Sequence, residues 1–463
     1  MKVYSFSKGG IQFEDGFAPR QEHSRLAFLP ETVIMPLSTE AGCRSYPVVL
    51  PGQHIEEGVL IARGQGAGSA NIHSPIPGKL VKTIKWGTES GVVSDALVIR
   101  LEGSFSRLGK SKTANEWTGL SGFEIRSLLA EYGVIEMEGL GRPLCDILSA
   151  LEPTREPLTL AVRCVFDDPW LAADYCLCNE NPDEVVEGGL IAARAAGASA
   201  MIFAVSAAEK RLGEILTDAA KRNEAAGRLA VASVTAGSRY PQHSDYEMNA
   251  ILSRHAKNEG LAKGRFLILS PATLAAVYEA VVMRAPVLER YIAVGGPAVK
   301  RPAVLKARIG SRLRNLFAEC GGFRRKTNDA GGSEPDFAVI GSPLLGRAAV
   351  LDEPVLKTSR AVFAPAMKSD KGVLKSLLRL KSARKFMPMA VCINCGECRS
   401  VCPAKLDPEH LYKRIKTGKH SDSLLQMVSG CIGCGCCEAV CPSKLPLCAA
   451  IARFTFKGAA RAV

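Results

Sequence analysis

CINCGECRSVCP, at residues 392–403, is followed by CIGCGCCEAVCP at residues 431–442, and both stretches fit the pattern C-x2-C-x2-C-x3-C-P. Thiolates are soft, anionic ligands that suit iron–sulfur clusters, and the two-residue spacings let three sulfurs wrap one face of a cube. In proteins with two such motifs, the fourth cysteine of each motif binds the other cluster. The pattern therefore predicts two [4Fe–4S] clusters in an interlocked, helical ferredoxin domain at residues 388–456, and electron transfer as its chemistry.

The exchange of the fourth cysteines assigns eight ligands. Cluster 1 is predicted on Cys392, Cys395, Cys398 and Cys441, and cluster 2 on Cys431, Cys434, Cys437 and Cys402. Two zinc sites are the alternative, but zinc usually binds two cysteine pairs with a longer separation between them. Cys436 and Cys448 lie outside this frame and are predicted to be buried thiols.

Composition limits the remaining possibilities. The chain has 463 residues, of which 47% are hydrophobic and 23% charged, which suits a folded chain of roughly three or four domains. Its net charge of +13 favours acidic partners or anionic surfaces, and no nucleic-acid partner is expected. Ten of the 16 cysteines cluster near the C-terminus, and the start MKVYSFSKGG lacks signal-peptide features, so a reducing compartment is predicted rather than a disulfide scaffold. Charges interrupt the most apolar stretch, so no membrane span is expected.

Upstream of the cysteines, the patterns predict a multidomain α/β and α+β chain. Residues 1–32 form an extended arm, and residues 33–103 alternate short β-rich runs with Gly and Pro. VVLPGQHIEEGVLIARG and IHSPIPGKLVKTI resemble the two halves of a lipoyl-type barrel-sandwich. No lysine lies between Gly64 and Gly78, where carrier versions attach their cofactor. An assembly role is therefore predicted for this barrel.

Residues 119–285 alternate helical and strand patterns, which predicts a Rossmann-like α/β domain with a parallel sheet. A ligand crevice of such a sheet lies at the carboxyl ends of its strands. Residues 286–335 predict a compact module of two strands and a short helix. Residues 336–387 are predicted to be a linker with a basic helix, either solvated, which is the favoured interpretation, or docked on a membrane surface or an acidic protein.

The order of these parts resembles the RnfC subunit of the Rnf ion-translocating electron-transport complex, as a divergent member. The resemblance rests on ERYIAVGG at 289–296, RIGSRL at 308–313 and ECGGF at 319–323, together with the two cysteine motifs. It implies a β-grasp ligand-binding module at 286–335 and a central domain like the flavin- and NADH-binding subunit of complex I. It also implies a peripheral protein on the cytoplasmic side of the inner (plasma) membrane. Such a protein passes electrons between NADH or ferredoxin-type carriers and membrane partners, with FMN and two [4Fe–4S] clusters as cofactors.

The loops that hold flavin and nucleotide in this family differ here. The family's G-L-G-G-A-G-F-P-T corresponds to GLGRPLCDI at 139–147, in which Arg142 and Pro143 replace the Gly-Ala that would approach a phosphate. YPQHSDY at 240–246 lacks two family glycines. Gly139, Gly141 and Asp168 remain the candidates for FMN or NADH binding. Altered or absent FMN and NADH binding is predicted, with an intact but variant pocket as the alternative, and no catalytic residue is predicted.

Two other functions remain open. A soluble flavin and iron–sulfur reductase of the cobalamin-reductase type is one, although its α/β unit precedes the barrel, unlike here. A non-catalytic assembly subunit with a degenerate FMN/NADH site is the other. Within the Rnf interpretation, acidic ferredoxin or flavodoxin is a possible partner. The sequence leaves open the coupling ion, Na⁺ or H⁺, the electron donor, and whether this chain itself oxidises NADH.

Overall fold

The computed structural model describes most of the chain. The described residues are 2–6, 8–20, 23–39, 42–87, 93–110, 113–151, 156–260, 264–324, 335–365, 389–417 and 422–459. The predicted basic helix, at 368–385, lies outside them. No helix within these ranges combines the length and apolar character needed to cross a membrane.

Two small sheets with a shared core form the N-terminal barrel-sandwich, which confirms that prediction. One sheet has the order β3–β9–β8–β5 and the other β4–β6–β7. The strands are β3 (Thr32–Pro36), β4 (Ser45–Pro47), β5 (His54–Ile55), β6 (Leu60–Gly64), β7 (Ile72–His73), β8 (Gly78–Gly87) and β9 (Val93–Leu101). The turn between β6 and β7 contacts the central domain, because the Gly68 amide donates a 2.7 Å hydrogen bond to Asp146. The turn that carries the lysine in carrier domains is thus docked here.

A five-stranded parallel sheet forms the centre, as the alternating pattern predicts, in the order β1–β12–β11–β10–β13. Its strands are β1 (Val3–Tyr4), β10 (Leu158–Cys164), β11 (Ala200–Ser206), β12 (Ala230–Ala236) and β13 (Arg265–Leu269). The helices are α1 (Gly122–Glu131), α2 (Leu144–Ser149), α3 (Ala172–Glu180), α4 (Pro182–Ala196), α5 (Lys210–Arg222), α6 (Asp245–Asn258) and α7 (Pro271–Val281). Apolar side chains on both faces of the sheet are covered, as parallel sheets require. The N-terminal arm supplies the edge strand β1.

The β-grasp module is larger than the sequence predicts. Its six-stranded sheet has the order β17–β16–β18–β14–β15–β2. The elements are β2 (Ser24–Leu26), β14 (Glu289–Gly295), β15 (Ala303–Arg308), α8 (Leu313–Glu319), β16 (Ala338–Ile340), β17 (Arg347–Ala349) and β18 (Ala361–Phe363). The predicted linker is therefore wrong for residues 338–363, which supply three strands. They join the sheet because apolar side chains such as Val339 and Phe363 are fully buried there.

Five short helices form the C-terminal domain within the described ranges 389–417 and 422–459. They are α9 (Glu397–Ser400), α10 (Pro408–Lys416), α11 (Asp422–Ser429), α12 (Cys436–Val440) and α13 (Leu447–Ala459). The Asp407 side chain caps α10 by accepting a 3.2 Å hydrogen bond from the His410 amide, and Pro408 occupies the first turn. α9 and α12 each begin directly after a motif glycine, so each motif turns from loop to helix between its second and third cysteines.

Candidate iron–sulfur centres and the adjoining crevice

The structure brings together the four cysteines that the sequence groups as cluster 1. Three come from the first motif and one from the second, and all four line one cavity: Cys392, Cys395, Cys398 and Cys441. Cys395 is exposed, whereas Cys398 and Cys441 are buried. Glu409, on α10, lines the same cavity and is paired with Lys413 at 2.6 Å.

A second cavity holds the cluster 2 set in the complementary arrangement. Cys402 of the first motif joins three cysteines of the second, namely Cys431, Cys434 and Cys437. Two further thiols, those of Cys436 and Cys448, line this cavity as well. Both are buried, as predicted for cysteines outside the frame.

The backbone conformation of the first motif is repeated in the second motif, 39 residues further along the chain. Gly396 and Gly435 have φ angles of +76° and +75°, and Lys405 and Lys444 have +55° and +54°. Asn394 and its counterpart Gly433 also have positive φ angles. Left-handed residues at matching positions turn the chain around each cavity in the same way. The two halves are therefore related by a pseudo-repeat in structure and in sequence.

The donors present fit iron–sulfur clusters. No three Cys, His, Asp or Glu side chains in the described ranges converge as ligands of one metal ion do, and the thiols surround a cavity instead. Ligands to separate irons at the corners of a cube are spread in this way. Burial raises the pKa of the Cys398 and Cys402 thiols, so these thiols hold their protons until metal binding displaces them.

The cluster 2 cavity abuts the central domain. The Tyr240 hydroxyl donates a 2.8 Å hydrogen bond to the carbonyl oxygen of Cys434. From the N-terminal arm, the Gly10 amide donates to the Val401 carbonyl at 2.9 Å. Gly9 lies so close to Cys402 that an added Cβ would be 2.8 Å from its carbonyl carbon. Two segments of the central region thus contact the backbone of the cluster 2 loops.

The region beyond the carboxyl ends of β10 and β13, where the sequence predicts a crevice, is filled by charged side chains. Arg163, near the end of β10, lies 3.0 Å from Glu138, and Arg360 lies 3.0 Å from the other oxygen of Glu138. Arg163 also pairs with Asp245 at 2.9 Å. The Ser270 hydroxyl, directly after β13, donates to Glu136 at 2.8 Å. Two carboxylates of this cluster thus come from the segment that precedes the glycine loop at 139–141.

Two more close side-chain contacts continue this network. His243 Nδ1 lies 2.5 Å from the Asp167 carboxylate, and Arg290 lies 3.3 Å from Asp174. Asp167 and Asp174 are both almost completely buried. A few buried polar atoms here have no protein partner, and such atoms are usually satisfied by water: Glu136 Oε2, both amide atoms of Gln242, and Nε and Nη2 of Arg290.

The surroundings shift the pKa values of Glu136 and Glu138 in opposite directions. Burial, reinforced by the nearby Glu138 charge, raises the pKa of Glu136 to about 7. Burial acts in the same direction on Glu138, but Arg163 and Arg360 outweigh it and hold its pKa at about 2. At neutral pH the crevice therefore carries a full negative charge on Glu138 and a partial one on Glu136.

The predicted FMN and NADH candidates have ordinary structural environments. Gly139 is exposed in a turn with a positive φ of 59°. Gly141, with a φ of 66°, packs against Thr358 and Ile135. The Asp168 carboxylate accepts a 2.9 Å hydrogen bond from the Trp170 amide and caps a short helical turn. Each candidate residue thus has a local structural role.

Sequence reasoning missed the charged residues that occupy the crevice. Glu136 and Glu138 stand in IEMEG directly ahead of the glycine loop, and two acids beside a phosphate-binding loop are a detectable signal. Arg360 lies more than 200 residues further along the chain, and no local pattern connects it to Glu138. Tyr240 is visible in the sequence only as part of the retained YPQ segment.

Comparisons with known proteins match four separate regions of the chain. Family models match as the RnfC barrel sandwich hybrid domain at 5–104, the Nuo51 FMN-binding domain at 129–279, the SLBB domain at 291–334 and the 4Fe-4S dicluster domain at 388–445. The chain therefore contains a domain of the 4Fe-4S dicluster family, in agreement with the cysteine geometry.

Curated relatives match over most of their length. The C subunit of the proton-translocating ferredoxin:NAD(+) oxidoreductase complex of Clostridium ljungdahlii is 26% identical, over 87% of this chain and 83% of that protein. The C subunit of the ion-translocating oxidoreductase complex of Rhodobacter capsulatus is 28% identical, over 84% and 71%. The C subunit of the Na(+)-translocating ferredoxin:NAD(+) oxidoreductase complex of Acetobacterium woodii is 25% identical, over 82% and 80%.

Among solved structures, a chain of an NAD+-reducing [NiFe]-hydrogenase in the air-oxidized state superposes with a TM-score of 0.47 at 15% identity. The superposition covers 67% of this chain and 57% of the hydrogenase chain. This degree of likeness supports no inference about function.

Proposed function

We propose that the chain is a divergent member of the RnfC family of Rnf ion-translocating oxidoreductase complexes and the electron-transferring subunit of such a complex. Electrons would pass one at a time through two [4Fe–4S] clusters, between ferredoxin- or NADH-type carriers and membrane-bound partner subunits. The observation that carries this proposal is the pair of four-cysteine cavities, each completed by a cysteine of the other motif.

The cavities support the proposed ligand assignment. Cluster 1 takes Cys392, Cys395, Cys398 and Cys441, and cluster 2 takes Cys402, Cys431, Cys434 and Cys437. When bound, each cluster accepts and releases one electron. The chain's own residues hold the two sites close together, because each motif contributes to both, and the buried thiols exclude water from the inner side of each cavity. This arrangement suits transfer between the clusters.

The crevice residues do not fit FMN, and we propose that the central domain binds neither FMN nor NADH. A flavin phosphate is stabilised by backbone amides and positive charge. Here Pro143 removes an amide, Arg142 is exposed, and the Glu136 and Glu138 carboxylates lie where a phosphate would be expected. Arg163 and Arg360 are both paired with Glu138, and Arg163 is paired with Asp245 as well. The domain then acts as a scaffold that holds cluster 2 through Tyr240.

The cellular location of the protein follows from the same proposal. A peripheral place on the cytoplasmic side of the plasma membrane suits a chain whose membrane contacts are made through partners. The net charge of +13 would favour association with an acidic ferredoxin or flavodoxin through long-range attraction. The coupling ion depends on the partner subunits.

Cofactor content tests both parts of the proposal. The full chain, purified without oxygen, should contain about eight irons and about eight sulfides, the sum of two four-iron clusters. Denaturation should release no flavin, and a Cys437→Ser variant should lose about half of the iron. Zinc without sulfide would overturn the cluster assignment. FMN at one equivalent per chain would overturn the scaffold role of the central domain.

Electron exchange distinguishes the proposed function from that of a non-catalytic assembly subunit. When reduced ferredoxin is mixed with the chain that carries its clusters, both clusters should become reduced. Added salt should slow this reaction, because attraction between opposite charges speeds the encounter of the two proteins. Clusters that are present but exchange electrons with neither ferredoxin nor a membrane fraction containing the partner subunits would favour assembly.

A further inference from the structure

The two cluster cavities differ in the side chains that lie beside the ligands. Cavity 2 is lined by six thiols and cavity 1 by four. We propose that Cys436 and Cys448 donate S–H hydrogen bonds to the ligand sulfurs of cluster 2 and thereby raise its reduction potential. This inference rests on the proposed cluster assignment and adds to it two potential-setting residues, neither of which is itself a ligand.

Cys448 is in place to donate to one ligand. It lies in the first turn of α13, is 8% exposed and lines cavity 2. Its sulfur lies beside the sulfur of Cys431, within reach of a hydrogen bond, in the same cavity. Because α13 packs against α10 and α12, its first turn is held in place beside the cavity.

Cys436 takes the corresponding role toward a second ligand. It opens α12, is completely buried and lines the same cavity. Its sulfur lies beside the sulfur of Cys434, within reach of a hydrogen bond, in the same cavity. Two of the four cluster 2 ligands thus have a neighbouring thiol, and these thiols come from two different helices.

The pseudo-repeat shows that these thiols are particular to cluster 2. The residues 39 positions earlier are Glu397 for Cys436 and Glu409 for Cys448. Glu409 lines cavity 1, just as Cys448 lines cavity 2, so the same structural position holds a carboxylate at one cluster and a thiol at the other. Glu397 is exposed.

The expected effect follows from charge. Reduction adds one negative charge to a cluster and its thiolate sulfurs, and a donor to those sulfurs stabilises the reduced form more than the oxidised form. An S–H donor therefore raises the potential, whereas a carboxylate at the equivalent position acts in the opposite direction. A thiol can donate in this way without becoming a ligand, and the four-cysteine frame of cluster 2 is complete without it.

An EPR-monitored redox titration of the anaerobically purified full chain tests this inference. Cys448→Ala should lower the reduced-to-oxidised ratio of cluster 2, measured at the wild-type midpoint, by up to about tenfold, which is about 59 mV for a one-electron couple. Cys436→Ala should act in the same direction. Cys448→Ser keeps a donor and should retain most of the wild-type potential. The potential of cluster 1 should not shift in either variant. The control Cys320→Ala, which removes a buried thiol of the β-grasp module, should leave both potentials unchanged.

The outcomes are distinguishable from failure of the proposed function. The signal of cluster 2 is identified as the one altered in Cys437→Ser. If the wild-type chain holds two clusters but Cys448→Ala and Cys436→Ala leave both potentials unchanged, the inference is overturned while the proposed function stands. Equal shifts for the Ala and Ser variants at position 448 would overturn it too, as would loss of four irons, which would make Cys448 a ligand. A wild-type chain without clusters would instead overturn the proposed function.

Discussion

Tyr240 in the central domain donates its hydroxyl hydrogen to the main-chain carbonyl of Cys434, at 2.8 Å, in a cluster-binding loop almost 200 residues further along the chain. Tyr240 is completely buried, and its ring also contacts Phe13 of the N-terminal arm. One side chain therefore joins three parts of the molecule: the arm, the central domain and the loop proposed to bind cluster 2.

Replacing Tyr240 by Phe should weaken the contact between the central domain and the 431–437 loop while keeping the packing of the ring. The ring packing remains, but the Cys434 carbonyl loses its donor, at a cost of about 1 kcal/mol. Hydrogen exchange of the amides at 431–437 should therefore be faster, by up to about tenfold. Tyr246→Phe, which alters an exposed tyrosine at the start of α6, is the control and should leave this exchange unchanged. Equal exchange in the wild type and Tyr240→Phe would show that the hydrogen bond does not hold the loop.

The N-terminal arm makes a second prediction, at Gly9. Its φ of +87° disfavours any side chain, and an added Cβ would lie 2.8 Å from the backbone of Cys402 and Pro403. Gly52 has the same φ but open space around it. Both Ala variants should bear the conformational cost of about 1–2 kcal/mol, and only Gly9→Ala should displace the arm as well. Thermal unfolding should therefore show a larger drop in midpoint for Gly9→Ala, and equal drops would contradict the close packing.

The parts of the fold that can be predicted from the sequence are those whose information is local. Three of the four cysteines at each cavity lie within seven residues of one another, so their spacing alone identifies the site. Alternating helices and buried strands likewise indicate a parallel sheet. By contrast, β16, β17 and β18 have three residues each, too few to show a period, and the sequence predicts a linker in their place.

The contents of the crevice are unpredictable for a different reason. The loss of family glycines is visible in the sequence, but what occupies the space depends on residues far apart along the chain. Arg360 reaches Glu138 across more than 200 residues, and His243 reaches Asp167 across more than 70. Such pairs form because buried charges must be compensated, a constraint that acts in three dimensions and leaves no pattern along the chain.

Glu136 makes the stability of the chain depend on pH. Its pKa is raised from 4.5 to about 7, mainly by burial, so between these pH values the folded chain holds a proton that the unfolded chain releases. Stability should therefore fall as pH rises from 4.5 to about 7, by at most about 3 kcal/mol from this group. Glu136→Gln should weaken that decline and raise the unfolding midpoint at pH 8. Glu214→Gln, which alters an exposed acid on α5, should not. A steeper decline in Glu136→Gln would contradict the assigned shift.

The carboxylate of Glu409 should lower the potential of cluster 1, because it lines that cavity and its negative charge opposes the charge gained on reduction. Glu409→Gln removes this charge and leaves the Lys413 ammonium, its partner at 2.6 Å, without a counterion. The reduced-to-oxidised ratio of cluster 1 at the wild-type midpoint should rise about threefold, roughly 30 mV for a one-electron couple, while cluster 2 shifts less. Asp218→Asn is a matched control, because Asp218 forms a similar helical pair with Lys221 on α5 of the central domain. A shift confined to cluster 2, or an equal shift in Asp218→Asn, would show that the Glu409 charge does not act on cluster 1. If the predicted shift is found, the carboxylate lowers the potential of cluster 1, whereas the thiol at the matching position raises the potential of cluster 2.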